Sequence, residues 1–259
     1  MKACVFDVDR TLTNSSKKIS ERTQRALGLL HDRGVTTAMC TGRHFATLKD
    51  EAMTYFPSDS LHVVSGGSQV IQKNGNVVWE QLIDVQIVEE LISTMDAIHT
   101  RIYAQTGDAM YGNAKAVEDW DVQGSLAIRP LEDMPSVGIP IVVVHEIDEE
   151  IFQSILARGD VEAKWMKNYN GKYYADITAK GVSKAVGFRK WCDLVGILPS
   201  DVAGFGDSEN DVEFLQAVGH AVAVENAIEK VRAIAKEVVP SCDEDGVAQW
   251  IERTYGEHT

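Results

Sequence analysis

The chain has 259 residues, 44% hydrophobic and 25% charged, which is an ordinary globular composition with room for one large core or two domains. Its formal net charge of −14 and pI near 4.9 argue against nucleic acid or an anionic membrane as partner. A small anionic substrate stays open, because a local cation can override the global field. Cys4, Cys40, Cys192 and Cys242 lack CxxC spacing, so neither a zinc site nor a disulfide framework is indicated. No basic-then-apolar leader opens the chain and no apolar run reaches membrane-spanning length, so the expected location is the cytoplasm.

The first segment, Lys2-Ala-Cys-Val-Phe-Asp7-Val-Asp9-Arg-Thr11, is an apolar strand that ends in two carboxylates and a hydroxyl. Such a pair at a strand tip needs a metal or a shared proton; otherwise Asp9 and Thr11 cap the next turn. Ser20 caps a helix to Arg33 that presents Ala26, Leu27 and Leu30, and Gly34 stops it. Val35–Cys40 predicts the second strand, ending in Thr41-Gly42-Arg43. A helix with Phe45, Leu48, Ala52 and Met53 and a third strand at Leu61–Val64 follow, before Gly66-Gly67.

From about Gly75 to Thr178 the texture changes. Asn74-Gly75-Asn76 signals a hairpin. Helices are predicted at Val85–His99 and Glu149–Arg158, with strands at Ile139–Val144 and Lys172–Ile177. Strand–helix alternation returns with a helix at Lys184 (Val186, Phe188, Trp191, Cys192) and a strand at Val202–Phe205. That strand also ends in acid, Gly206-Asp207-Ser-Glu-Asn210-Asp211. A helix to Gly219, the strand Ala221–Val224, the helix Ala227–Ala235, the strand Val238–Val239 and a helix from Val247 complete the pattern.

Alternation of this kind predicts an α/β protein: a Rossmann-like, doubly wound parallel sheet interrupted by an α+β cap. The expected boundaries are residues 1–78 with 179–259 for the core and 79–178 for the cap. Three strand ends then carry unusual polar groups: Asp7 with Asp9, Thr41-Gly42, and Asp207 with Asp211. In an open parallel sheet all of them face the ligand crevice.

Asp7-Val-Asp9-Arg-Thr11, Thr41-Gly42-Arg43, Lys184 and Gly206-Asp207-Ser-Glu-Asn210-Asp211 resemble, in order, the four motifs of the haloacid dehalogenase-type phosphatases. The Lys180-Gly-Val-Ser-Lys184 approach and the tail from Asn226-Ala227 to Asp245-Gly246-Val247 are similar to the Cof-type sugar-phosphatase branch, with its large α+β cap. The resemblance implies Asp7 as nucleophile and Asp9 as general acid and base. It implies Mg²⁺ held by Asp7, Asp207 and the Asp9 carbonyl, with Asp211 in or behind that set. Thr41, Gly42, Lys184 and Asn210 would bind the phosphate, with Lys184 pairing with the nucleophile as well. Judged alone, Thr41 reads equally as a helix N-cap, Lys184 as a solvated lysine and Asn210 as a cap.

Arg10 stands where the family usually has glycine, and either binds a substrate anion or points to solvent. Gly66-Gly67 replaces a common Asn-Gly pair, and Ala185 a frequent glycine. In the cap, Asp108, Tyr111, His145, Asn168 and Tyr173 are candidate specificity residues without assigned roles. The implied activity is hydrolysis of a small phosphorylated metabolite, a sugar phosphate or a phospho-acid. The alternatives are a phosphomutase on the same scaffold, or a regulatory protein that binds phosphate without turnover.

Overall fold

The computed structural model describes residues 1–48, 52–107, 109–118, 128–167 and 171–256. β1 (Ala3–Phe6) is buried at every residue, as a strand covered on both faces of a parallel sheet must be. Ser20 caps α1 (Glu21–Asp32), its side chain accepting from the Thr23 amide, and Ala26, Leu27 and Leu30 are buried. The chain then returns as β2 (Thr36–Met39), parallel to β1.

The single helix expected after Arg43 does not form. Short 3₁₀ turns occupy Phe45–Thr47 and Ala52–Tyr55, the first capped by the His44 ring on the Ala46 amide. Residues 49–51 of the expected helix lie outside the described set. β3 (Leu61–Val64) touches the main sheet through a parallel bridge between Cys40 and Val63. It belongs to a separate antiparallel sheet with β4 (Gln69–Gln72) and β5 (Val77–Glu80), whose hairpin is the Asn74-Gly75-Asn76 turn.

The cap region opens with α2 (Val85–Ala97), β6 (Arg101–Thr106), β7 (Ala109–Gly112) and α3 (Ala114–Glu118). It continues through β8 (Ile128–Pro130), β9 (Ile141–His145), α4 (Glu149–Ala157), β10 (Val161–Lys167) and β11 (Tyr173–Ala179). The six strands form one sheet in the order β10-β11-β9-β6-β7-β8, antiparallel except for the β7–β8 pair. Side chains alternate across it. Ile102, Ala104, Val142, Val144, Ala175 and Ile177 pack with Val88, Leu91 and Met95 of α2 and Ile155 of α4. The opposite parity, including Tyr103, Gln105, Val143 and Asp176, lines a cavity shared with the core.

The core resumes with α5 (Lys184–Val195), β12 (Val202–Gly206), α6 (Val212–Ala217) and β13 (His220–Val224). It closes with α7 (Glu229–Ile234), β14 (Glu237–Val239) and α8 (Gly246–Tyr255). The all-parallel order is β14-β13-β12-β1-β2. That order places β1 between β12 and β2, so the three functional strand ends are neighbours. The cysteines are all free and buried. Among the described residues no helix is long and apolar enough to cross a membrane.

Candidate active site

Asp7 follows β1 without a break, and its amide continues the ladder by donating to the Phe205 carbonyl at 2.9 Å. Asp207 follows β12, and Thr41 lies just past β2 with its amide donating to the Val63 carbonyl at 3.0 Å. A parallel sheet ends all its strands on one side, so these groups converge over the carboxyl edge.

Lys184, the first residue of α5, is only 2% exposed. Its Nζ donates to Asp7 Oδ1 at 2.6 Å and to Asp211 Oδ1 at 2.7 Å. The solvated-lysine reading is thereby corrected: two buried carboxylates draw the ammonium inward. Gly67 permits this placement. A Cβ there would stand 2.1 Å from the Ser183 carbonyl oxygen, and its φ of +101° also favours glycine. Gly67 thus serves backbone packing under the start of α5, while Gly66, at φ +67°, faces the side chains of Thr178 and Ile141.

Asp211 is fully buried. Besides Lys184, it accepts from the amides of Asp207 and Ser208 on Oδ2, both at 3.0 Å. Both oxygens are therefore engaged, so Asp211 acts as counterion to Lys184 and as the brace of the Asp207 loop.

Carboxylate oxygens of Asp7, Asp207 and Asp211 lie within 4.8 Å of one another, all buried. Burial, first of all, pushes Asp7 well above the usual carboxylate range against the pull of Lys184, and the neighbouring acids add to it. Burial and then Asp211 push Asp207 up to about 7. Burial by itself would lower Lys184, yet Asp211 and Asp7 hold it well above its ordinary value. One ammonium faces three buried carboxyl groups, so the site has a surplus of negative charge. A hard divalent cation fits this all-oxygen, charge-surplus set.

Asp9 is gripped by Arg43: Nε donates to Oδ2 at 2.7 Å and Nη2 to Oδ1 at 2.6 Å. Both carboxylate oxygens of Asp9 thus meet Arg43, and the Thr11 hydroxyl is buried without a partner. Thr41 Oγ1 accepts from the Arg43 amide at 3.1 Å, which keeps its proton for donation. It forms a turn, not a helix N-cap, because no helix starts there. Gly42 has Asp176 Oδ2 3.0 Å and Asn210 Nδ2 3.5 Å from where a Cβ would sit. Asn210 is no cap either: Ser208 and Asp211 close that turn reciprocally, and Asn210 Oδ1 is buried without a partner. Arg10 has φ +59° and turns inward, with its Nε 3.9 Å from Asp207 Oδ2 and its Nη2 3.5 Å from the Asn226 carbonyl. Asn226 in turn donates to the Arg10 carbonyl at 2.9 Å, tying the loop down.

Asp7, Asp9, Thr41, Gly42, Asp207 and Asn210 line one cavity of about 340 Å³. Lys184 lies just beneath it. The cap wall of that cavity contains residues that sequence reasoning missed, chiefly Tyr103, Gln105, Tyr174 and Asp176. Their signal was present as period-two pairs, 103/105 and 174/176, but alternation does not say which face meets the core. Of the cap candidates, His145 lines the cavity. Burial, with Arg101 adding, lowers its pKa to about 4, so it is a neutral ring. Tyr111 is buried on the other parity of β7, and Tyr173 packs beside Trp165 at 4.9 Å, outside the cavity. Asp108 and Asn168 lie outside the described residues. Burial pushes Asp176 up to about 7, with Lys184 opposing and Asp9 adding.

A family model described as haloacid dehalogenase-like hydrolase matches residues 4–251. The chain is 25% identical to a Bacillus subtilis 5-amino-6-(5-phospho-D-ribitylamino)uracil phosphatase, over 98% of each chain. It is 22% identical to a Yersinia pseudotuberculosis HMP-PP phosphatase, over 95% of this chain and 92% of the relative. Among solved structures, a phosphatase of the same superfamily from Bacteroides thetaiotaomicron superposes with a TM-score of 0.83 at 24% identity, covering 99% of this chain and 95% of that one.

Proposed function

The chain belongs to the haloacid dehalogenase-like hydrolases, and we propose that it is a Mg²⁺-dependent phosphatase working through an aspartyl-phosphate on Asp7. Phosphatase activity on small phosphorylated metabolites is what its relatives' names share. The observation that supports the finer reading is the Asp7–Lys184–Asp211 chain, which aims one buried carboxylate from a parallel-sheet edge with its counterion fixed beneath it.

In this reading Asp7 attacks phosphorus while Asp9 hands a proton to the departing alkoxide oxygen. Asp9 then takes a proton from the water that opens the acyl phosphate. Thr41 Oγ and the Gly42 amide donate to phosphoryl oxygens, and Lys184 balances charge on the transferring group. Asn210 places its amide beside Gly42 and completes the phosphate cradle. Mg²⁺, held by Asp7, Asp207 and the Asp9 carbonyl with Asp211 bracing from behind, would neutralise the charge between carboxylate and phosphate. The core, residues 1–78 and 179–259, supplies the chemistry. The 79–178 cap covers the cavity and meets the leaving group. The site of action is the cytoplasm.

The test is inorganic phosphate release from a panel of phosphate monoesters, with Mg²⁺ and with EDTA, for the wild type and Asp7→Asn. Release that requires both Mg²⁺ and Asp7 supports the proposal. Turnover that persists in folded Asp7→Asn, or in EDTA, overturns it.

A further inference from the structure

Arg10, Arg43 and Lys167 are the cations that line the catalytic cavity. Arg43 is spent on Asp9. The other two have no carboxylate within hydrogen-bond reach. Arg10 Nε stands 3.9 Å from Asp207 Oδ2, and Nη2 reaches the Asn226 carbonyl at 3.5 Å. A guanidinium has five N–H donors, so most of those on Arg10 are unspent. Lys167 ends β10 on the cap, and its Nζ lies over the Tyr173 ring, 5.4 Å from the centroid. Among the described residues it makes no ion pair.

Arg10 and Lys167 also line a second cavity of about 420 Å³, together with Asn226, Cys242 and Asp243. The two cavities therefore meet between these side chains, at the rim of the catalytic one. Arg10 is held there against its backbone preference. Its φ of +59° is strained for a residue with a side chain and persists only where the surroundings enforce it. Asn226 does so: Nδ2 donates to the Arg10 carbonyl at 2.9 Å, and Oδ1 accepts from the Cys242 amide at 2.8 Å.

The charges at this rim are unbalanced. Asp243 is the acid of the second cavity, and its Oδ1 accepts from the Ser15 amide at 2.8 Å. Two cations against one carboxylate leave a single positive charge, which a monoanion balances and a dianion overshoots. One cation comes from the core and the other from the cap, so with nothing between them they oppose closure. Asp207 shares the carboxylate cluster with Asp7, so a guanidinium 3.9 Å from it is within reach of a short leaving group only.

Resting on the phosphatase reading, we propose that the leaving group carries a carboxylate clasped between Arg10 and Lys167. The substrate is then a short phosphorylated carboxylic acid, with its phosphate in the Thr41–Gly42 cradle and its carboxylate at the rim. Core and cap each supply one cation, so the carboxylate is held only when the cap is closed, which couples recognition to the exclusion of water. Arg10 and Lys167 are specificity-determining residues that take no part in the chemistry.

The experiment compares kcat/KM for 3-phosphoglycerate and glycerol 3-phosphate, which differ as carboxylate against hydroxymethyl, with acetyl phosphate as a general probe. The wild type is expected to favour 3-phosphoglycerate by about tenfold to a hundredfold, as hydrogen bonds to a charged group do. Arg10→Gln and Lys167→Gln are each expected to cut that ratio about tenfold. Lys167→Glu is expected to reverse the preference, and Lys167→Arg to keep it. Reading the ratio within each variant cancels any general loss of folded enzyme. Acetyl phosphate turnover without a wild-type preference for 3-phosphoglycerate, or with a ratio unmoved in both glutamine variants, overturns this inference alone. Faster turnover of glycerol bisphosphate than of 3-phosphoglycerate overturns it as well. No turnover of any probe, acetyl phosphate included, overturns the phosphatase reading and this inference with it.

Discussion

Arg43 holds Asp9 with a two-pronged grip, Nε to Oδ2 at 2.7 Å and Nη2 to Oδ1 at 2.6 Å. The planar fork fixes the plane of the carboxyl group, and a lysine offers only a point charge. Arg43→Lys is therefore expected to lower kcat by up to about a hundredfold through misplacement of Asp9. The pair is partly exposed, so stability should change by no more than about 1 kcal/mol. Steady-state kinetics beside a denaturant titration separates the two; a large loss of stability with unchanged kcat would contradict the positioning role.

Asp9→Asn removes the group that activates water and leaves the Asp7 nucleophile in place. Its turnover should fall by about 10²–10⁴-fold. Phosphoenzyme should accumulate, detectable as an 80 Da mass increase after rapid acid quench, 80 Da being about the mass of one added phosphoryl group. Absence of that adduct at every quench time would remove Asp9 from the role of base.

Lys184→Met tests the charge balance under the site. Without Mg²⁺ the substitution leaves Asp7 and Asp211 without their common partner in a buried setting. The expected loss is about 3–5 kcal/mol of folding stability. Added Mg²⁺ should restore part of that loss, since a cation bound by the folded state alone stabilises it. Equal denaturation midpoints with Mg²⁺ and with EDTA in this variant would mean that no cation enters the carboxylate cluster.

His62 gives an acid-side signature away from the catalytic groups. It is fully buried, accepts from the Met39 amide at 3.1 Å, and lies 2.7 Å from Ser60 Oγ. Burial, with Lys73 adding, lowers its pKa to about 3. An unfolded histidine titrates near 6.5, so below that pH the unfolded chain binds the extra proton and the folded one does not. The stabilisation is complete above about pH 6.5 and is lost as pH falls toward 3, by about 1.4 kcal/mol per unit. His145 acts in the same direction and Asp176 in the opposite one, which makes the difference between wild type and His62→Gln the quantity to read. The stability difference between the two proteins should be constant above about pH 6.5 and narrow as pH falls toward 3; parallel curves across that window would refute the assignment.

Local chemistry alone marked Asp7, Asp9, Thr41, Gly42, Asp207 and Asp211, because unusual polar groups at the tips of apolar strands have few bland explanations. Alternating strand and helix patterns likewise predicted the parallel sheet and the interruption by a second sheet. The stretch after Arg43 misled, since its apolar spacing matched a helix while the chain there takes two short 3₁₀ turns. Tertiary structure alone decided what surrounds each charge. Lys184 by itself reads as a surface lysine, and only the resemblance pairs it with the nucleophile; β1 and the Asp211 loop bring two carboxylates to it across 177 and 27 residues. Arg43 becomes the partner of Asp9 only when β1 and β2 lie side by side. Tyr103, Gln105, Tyr174 and Asp176 face the cavity because of the sheet's docking onto the core, and a period of two is equally consistent with either face. Residue type and order determined which chemistry the chain can perform. The long-range packing of strands far apart in sequence decided which groups are buried, paired and aimed at the substrate, because burial and pairing are properties of neighbours in space.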